Sequence, residues 1–441
     1  MGKEKMHLVG FMLNSPMNHS ISSWTHPRDK VGYSWAEPEM WQDIARTLER
    51  GKFDCLFLAD VMAPFAKYKD RMDEALRYAI QFPVHDPLVL IPAMSVVTRN
   101  LGFAVTASTT YTDPYSLARR FSTLDHLTKG RIGWNVVTSV QTSEARNFGQ
   151  QEVPPHVARY ARAHEFLEVC NKLWSSWEPD AVVMDKEAQI FTDPAKVKRI
   201  NHKGEFYNVA GPLCCAPSPQ GRPVIIQAGA SEQGRDYAAQ HAEYVFGIQL
   251  NAAGMRAFSS DIRKRAVDRF DRKPTDIKIL YGVQIILGHT ESEARAKQKM
   301  MADLVPLEAA MAILSGHLNF DWSSFDLDAP LENIEIEGVQ GILDALTGMV
   351  GGGKKLTLRE AAMMHGRSVS MPQIVGTAEQ VSDQLELMRD EGGGDGFQIT
   401  PTYVPGSFQE IVDGLVPVLQ KRGLHREGYT GATLREHLRE F

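Results

Sequence analysis

Cysteine is scarce in this chain: Cys55, Cys170, Cys214 and Cys215 are the four among 441 residues. Four cannot staple a chain of this length, so no disulfide framework is expected. Adjacent Cys214 and Cys215 lack the C-x-x-C spacing of a metal or redox site, and they read as packing residues; no metal is expected. No apolar run approaches the roughly 18 residues of a membrane span. The opening MGKEKMHLVG has too short an apolar stretch for a signal peptide and no cleavage site. It also lacks the Ser or Thr at position 6 that myristoylation would need. No membrane partner and a cytoplasmic location are the resulting expectations. Charge of one sign is not in excess: the formal net charge is −6, which gives no support for a nucleic-acid partner. Nucleotide fingerprints are missing too. There is no G-x-G-x-x-G, and the glycine runs at 351–353 and 392–394 do not end in the Lys-Ser or Lys-Thr of a P-loop.

What is present is an ordinary globular composition, 43% hydrophobic and 23% charged, arranged in a regular alternation. Short apolar runs stand at 7–13, 55–60, 101–109, 130–139, 224–229, 243–249, 279–288 and 396–401. Helical stretches follow nearly all of them, for example 38–50, 87–98, 113–127, 158–174 and 407–421. The strands are near-continuous apolar runs, as expected when both faces are covered. Eight such strands predict an α/β chain folded as a (β/α)8 TIM-like barrel with insertions, in preference to an open doubly wound sheet. The whole chain, 1–441, then forms one barrel domain. Insertions are expected at about 61–85, 180–220 and 291–375, the last a candidate active-site lid over 315–355.

Polar residues gather where these strands end. Asn14 and Ser15 follow the first, Asp60 the second, and Thr106 to Thr110 close the third. The fourth, GRIGWNVVTS at 130–139, carries Asn135 among apolar neighbours and finishes in Thr138 and Ser139. Each alone suits a helix cap or turn. Together they point to a ligand site at the C-terminal mouth, where barrels of this kind do their chemistry. The sharpest piece is QAGASEQGRD, 227–236. A strand ends in Gly229 and Ala230, and Ser231 opens a helix. Small residues let a ligand approach the backbone, and the first free N–H groups of a helix attract an anion. The segment therefore reads as a phosphate site, with a plain Ser N-cap as the alternative.

At this point the chain resembles a known family. ARTLERGKFDCLFLAD (45–60), TLDHLTKGRIGWNVVTS (123–139), EARNFG (144–149), PVIIQAGASEQGRD (223–236), DGFQITPTYVPGSFQEIV (395–412) and VPVLQKRGLHREGYTGATLREHL (416–438) carry the resemblance. It is to the bacterial-luciferase-like flavin monooxygenases, in the branch of the nitrilotriacetate, dibenzothiophene-sulfone and long-chain alkane enzymes. The resemblance implies a TIM-like barrel and a two-component oxygenase. Reduced FMN would be supplied by a separate NAD(P)H:flavin reductase, O2 would be the cosubstrate, and a flavin peroxide would oxygenate a small organic substrate. It also implies a homodimer or homotetramer.

By the same resemblance, Asp60, Thr106 and Asn135 would meet the flavin ring system, and Ala230 and Ser231 would hold its phosphate. His156 and Tyr160, in PPHVARYARAHEF, match a His-x-x-x-Tyr of the family's FMN site; at i and i+4 they share one helix face. Asn14, Ser15 and His19 would stand at the reacting end, with His19 as acid/base or oxygen-orienting group. The run NSPMNHSISSW departs from relatives here. The alkane enzymes carry Cys where Ser15 aligns, His where Asn18 aligns and Tyr where Phe65 aligns. Trp24, Trp35, Phe65 and Phe82 are expected to supply apolar cover that keeps water out. A deazaflavin-dependent oxidoreductase on the same barrel, or a non-catalytic flavin-binding protein, are the competing readings. A neutral, apolar or aromatic substrate, such as a xenobiotic, fits the mixed charge of the loops after strands one and two.

Overall fold

A computed structural model describes residues 4–331, 336, 338–347 and 355–441. All eight expected strands form: β1 His7–Leu13, β2 Cys55–Ala59, β3 Gly102–Ser108, β4 Ile132–Val137, β5 Val224–Gln227, β6 Tyr244–Gly247, β7 Lys278–Leu287 and β8 Gly396–Thr400. Each pairs in parallel with the next, and β8 returns to β1 with His7 opposite Gly396, so the ring is closed. This is the (β/α)8 barrel. A further short strand, Gln373–Gly376, lies outside the ring and pairs with the second half of β7. It was not expected, because four residues between two helical stretches give no periodic signal.

The two-residue side-chain period explains the apolar runs. On β1, Val9 and Phe11 belong to the inner cluster with Phe57, Tyr244 and Phe246. Leu8 and Met12 belong to the outer one, with Leu56, Leu58 and Phe103, beneath the helices. Trp134 of β4 faces outward, its ring 5.7 Å from Phe121 and 5.9 Å from Phe166. Its neighbour Asn135 therefore faces the other way. Gly130 enters β4 at φ +85°, where a Cβ would also stand 2.8 Å from Thr433 Cγ2; only glycine suits both demands.

Helices clothe the ring, among them Pro38–Arg50, Pro87–Ser95, Pro114–Thr128, His156–Trp174, Glu232–His241, Ala252–Phe270 and Ala378–Gly392. Asp113 caps the third, accepting from Ser116 N at 2.8 Å, with Pro114 as its first residue. The 180–220 stretch holds two small hairpins, Val182–Asp185 with Ile190–Thr192 and His202–Lys203 with Asn208–Val209. Between β7 and the outer strand lie Glu291–Asp303, Leu307–Leu318, Gln340–Thr347 and Leu358–Ser368. The 315–355 lid candidate falls partly outside the described residues, at 332–335, 337 and 348–354. Among the described residues no single helix is long and apolar enough to cross a membrane.

The C-terminal segment seals the N-terminal end of the barrel. The fully buried Asp54 accepts from Arg426 Nη2 at 2.7 Å and from Leu8 N at 3.1 Å, and lies 3.0 Å from His7 Nδ1. Arg426 is equally buried and also pairs with Glu440 at 3.2 Å. This end is a structural plug, so the open end is the C-terminal mouth.

Candidate active site

A cavity of about 750 Å³ opens at that mouth, among the ends of β2, β4, β5 and β6. The start of the His156–Trp174 helix, the end of Leu307–Leu318 and Ile336, Gly338, Val339, Gly341 and Ile342 complete its wall. Its size is that of a cofactor or small-molecule site.

One end is built for an anion. Ser231 ends the loop after β5 and caps Glu232–His241, accepting from Gly234 N at 3.1 Å. His156, the first residue of its own helix, brings Nε2 to 3.2 Å from Ser231 Oγ. Tyr160 follows one turn later, and its hydroxyl lies 3.4 Å from Gln227 Nε2. Gly229 and Gly234 pack backbone to backbone: a Cβ on Gly229 would stand 2.7 Å from Gly234 Cα. Burial, with Arg159 nearby, lowers the His156 pKa below its ordinary value. Arg159 itself donates to the Ser139 carbonyl.

Further in, Asn135 Nδ2 donates to Thr106 Oγ1 at 2.9 Å. Asn135 Oδ1 is buried, and among the described residues it has no hydrogen-bond partner; the same holds for Asn14 Oδ1 and Ser15 Oγ. Buried polar atoms are seldom left so, and three at one end of a barrel indicate that something else satisfies them. Two carboxyl groups, Asp60 and Glu144, lie in the wall. Burial, and then Asp86 and Glu144, push Asp60 up to about 8. Burial also raises Glu144, although its Oε1 accepts from Met62 N at 2.9 Å. Glu144 thereby ties the loop after β2 to the one after β4.

The structure thus brings Asp60, His156, Tyr160, Ala230 and Ser231 to one cavity. Thr106 and Asn135 sit one residue deeper, Asn135 preceding the lining Val136. Asn14, Ser15 and His19 do not line it. His19 stacks on Phe11 at 3.9 Å, and Phe11 lies 5.2 Å from Phe246 of the wall. Its Nδ1 is 3.4 Å from Thr400 Oγ1. Burial, with His317 nearby, pulls His19 down to about 3, so it is a neutral imidazole at physiological pH. The apolar cover also differs from expectation. Trp24, Trp35, Phe65 and Phe82 do not line the cavity; Phe246, Ile248, Ile336, Val339 and Ile342 do. Trp24 Nε1 instead donates to Tyr78 O, Trp35 packs on His85, and Phe65 packs over Gly316.

Sequence reasoning missed Glu144, Gln227 and His317. Glu144 and Gln227 sit within quoted motifs and could have been found as polar residues at strand ends. His317 lies in a helix between β7 and β8, where no strand-end rule reaches. Among the described residues no group of three or more His, Cys, Asp or Glu could hold a metal ion.

A closed barrel with an anion cradle at one mouth is shared by many enzymes, so chain-wide similarity decides the family. The family model described as luciferase-like monooxygenase matches residues 17–395. The chain belongs to that family. It is 42% identical to the long-chain alkane monooxygenase of Geobacillus thermodenitrificans (strain NG80-2), covering 99% of this chain and 94% of that one. It is 39% identical to nitrilotriacetate monooxygenase component A of Aminobacter aminovorans, over 99% and 97%. The crystal structure of a riboflavin lyase with modified FMN and riboflavin superposes with a TM-score of 0.91 at 32% identity, over 99% and 96%. This protein is accordingly an enzyme of the monooxygenase class, with the luciferase-like barrel.

Proposed function

We propose that this enzyme is the oxygenase component of a two-component system. It would take up reduced FMN from a separate NAD(P)H:flavin reductase and use O2 to oxygenate a small organic substrate. The observation that carries this is one cavity with an anion cradle at one end and, one residue behind its wall, the buried Asn135 Oδ1 that has no partner among the described residues. A flavin phosphate suits the first and a flavin ring the second. The relatives' names supply the rest: one is a component A, and another structure holds modified FMN.

Bound reduced flavin would supply the two electrons that let one oxygen atom enter the substrate while the other leaves as water. The protein's part is binding and exclusion. Ser231 Oγ, His156, Tyr160 and the backbone at Ala230 would hold the phosphate. Asn135, Thr106 and Asp60 would meet the ring, with Asp60 as a neutral hydrogen-bond donor below about pH 8. Phe246, Ile248, Ile336, Val339 and Ile342 would keep water from the reacting end. Within the candidate lid, Gly338 and Val339 donate main-chain bonds to Leu318 and His317, which seats that segment against the wall. In this proposal Asn14, Ser15 and His19 support the reacting end, His19 as a neutral orienting group reaching the wall through Phe11.

The same wall favours an uncharged, apolar or aromatic substrate. Its described lining contains no lysine, and its one arginine is engaged by Ser139. Assembly as a homodimer or homotetramer belongs to the proposal and is measured by light scattering. The decisive assay combines the protein with FMN, NADH, a generic flavin reductase and heavy oxygen gas over a substrate panel. One labelled oxygen atom per product molecule is expected. Turnover to products without label would overturn the reading.

A further inference from the structure

Three groups outside the flavin-facing set, two of them buried, form a chain. His317 Nδ1 is 2.9 Å from His365 Nε2, and His365 Nδ1 is 2.9 Å from Ser370 Oγ. Neither His365 nor Ser370 has any exposed surface. His317 lines the cavity. Its ring is wedged edge-on between Phe65 and His365, each 5.1 Å away. Phe65 in turn fills the space a Cβ on residue 316 would need, 2.4 Å from Phe65 Cδ1. The ring therefore has one seat, and Nδ1 is committed to His365. Nε2 lies 3.4 Å from Gln81 Oε1.

We propose that Ser370 and His365 are positioning residues that hold His317 as its Nε2–H tautomer, so that this residue of the cavity wall directs a hydrogen-bond donor, and not a base, toward Gln81. Burial, with His317 and His19 nearby, keeps His365 neutral, and burial holds His317 down to about 4. Each ring thus carries one N–H. Among the described residues Ser370 Oγ has no partner other than His365 Nδ1. Were Nδ1 protonated, the serine would accept, and its own buried O–H would be left without an acceptor. The serine therefore donates to a bare Nδ1, which places the His365 proton on Nε2. That N–H donates to His317 Nδ1, and the His317 proton must sit on Nε2. Gln81 can accept from that N–H through its carbonyl oxygen, 3.4 Å away. No proton is transferred in this arrangement; the chain sets a tautomer, as outer partners do for histidines generally.

The role at the cavity rests on the function proposed above; the tautomer does not. The full chain, labelled with 15N-histidine and without flavin, is read by long-range proton–nitrogen correlation. The His317 signals are assigned by their loss in His317→Gln. The expected result is a protonated Nε2 and a bare Nδ1. His365→Phe and Ser370→Ala should each replace that single pattern with a mixture, while His365→Gln, which keeps a donor facing His317, should preserve it. Thermal unfolding checks that each variant folds, and Ser370→Ala serves if His365→Phe does not. A proton on Nδ1 in the native protein, or an unchanged pattern in Ser370→Ala, would overturn the proposal. If the tautomer results hold and heavy oxygen is not incorporated, the monooxygenase reading alone is lost.

Discussion

His156 Nε2 stands 3.2 Å from Ser231 Oγ, across 75 positions of sequence. This contact joins the first residue of one helix to the cap of another, and it closes the anion end of the cavity. Both groups should matter to the cofactor, but Ser231 has a second duty. Ser231→Ala should weaken FMN binding and also cost about 1 kcal/mol of stability through the lost cap. His156→Ala should weaken binding with little effect on stability. Because the two touch, the double variant should lose less affinity than the sum of the singles. Fluorescence titration and urea unfolding measure both effects; strictly additive losses would show that the contact is idle.

Gly234 should tolerate no side chain. A Cβ there would stand 2.9 Å from Gly229 Cα and 2.9 Å from the Tyr160 hydroxyl. The glycine backbone cannot yield as a flexible side chain would, so Gly234→Ala should cost about 1–3 kcal/mol and displace the loop after β5. Thermal unfolding and FMN titration check this; a variant with native stability and affinity would show that the loop adapts freely.

Asn135 tests the flavin-facing end. Its Oδ1 is buried and unsatisfied among the described residues. Asn135→Leu removes that uncompensated polar atom but also the bond to Thr106, so the flavin-free protein should lose no more than about 1 kcal/mol. It should lower FMN affinity about tenfold, the equivalent of one lost hydrogen bond. Unchanged affinity would mean that Asn135 is no part of the flavin site.

Asp60 predicts a pH dependence. Burial, Asp86 and Glu144 raise its carboxyl pKa to about 8, against about 3.9 in the unfolded chain. A raised acid contributes stability that is full below the unfolded value and is lost as pH rises through the folded one. Between about pH 4 and pH 8 the parent should therefore lose this contribution progressively. Asp60→Asn should not, so its stability relative to the parent should climb across that window. Urea midpoints measured across the range decide it; parallel curves would mean that Asp60 is not held protonated.

Asp54 predicts the opposite sign. Burial alone would raise its carboxyl, but Arg426 and His7 outweigh it and hold it well below the usual range. A lowered acid contributes stability that is present above the unfolded value and is lost as pH falls below about 4. Asp54→Asn leaves the buried Arg426 with Glu440 as its remaining carboxylate and should cost about 1.5–3 kcal/mol at neutral pH, with the difference shrinking in acid. An Asn variant as stable as the parent at neutral pH would show that the plug at Arg426 does not need the charge.

The strand ring was legible because its strands are buried on both faces and their runs are nearly all apolar, from His7–Leu13 to Gly396–Thr400. Gln373–Gly376 was not, since a four-residue strand outside the ring has no pattern of its own. His156 and Tyr160 were legible as a pair only through the family's His-x-x-x-Tyr; the one-turn spacing then lets both reach one group. The expected aromatic cover was misplaced because a loop residue's side chain follows neighbours remote in sequence: Phe65 turned to Gly316, and Phe246 took the wall.

The sequence by itself therefore determined the barrel, the end of it that carries polar groups, and the small-residue loop at Gly229 to Ser231. These depend on periodicity and on local backbone chemistry, which a short window contains. Only the tertiary structure decided which polar groups meet: Ser231 with His156, Asn135 with Thr106, His317 with His365. Those meetings depend on ring closure and on helices packed from distant segments, and hydrogen bonds and burial act over distances in space that spacing along the chain does not record.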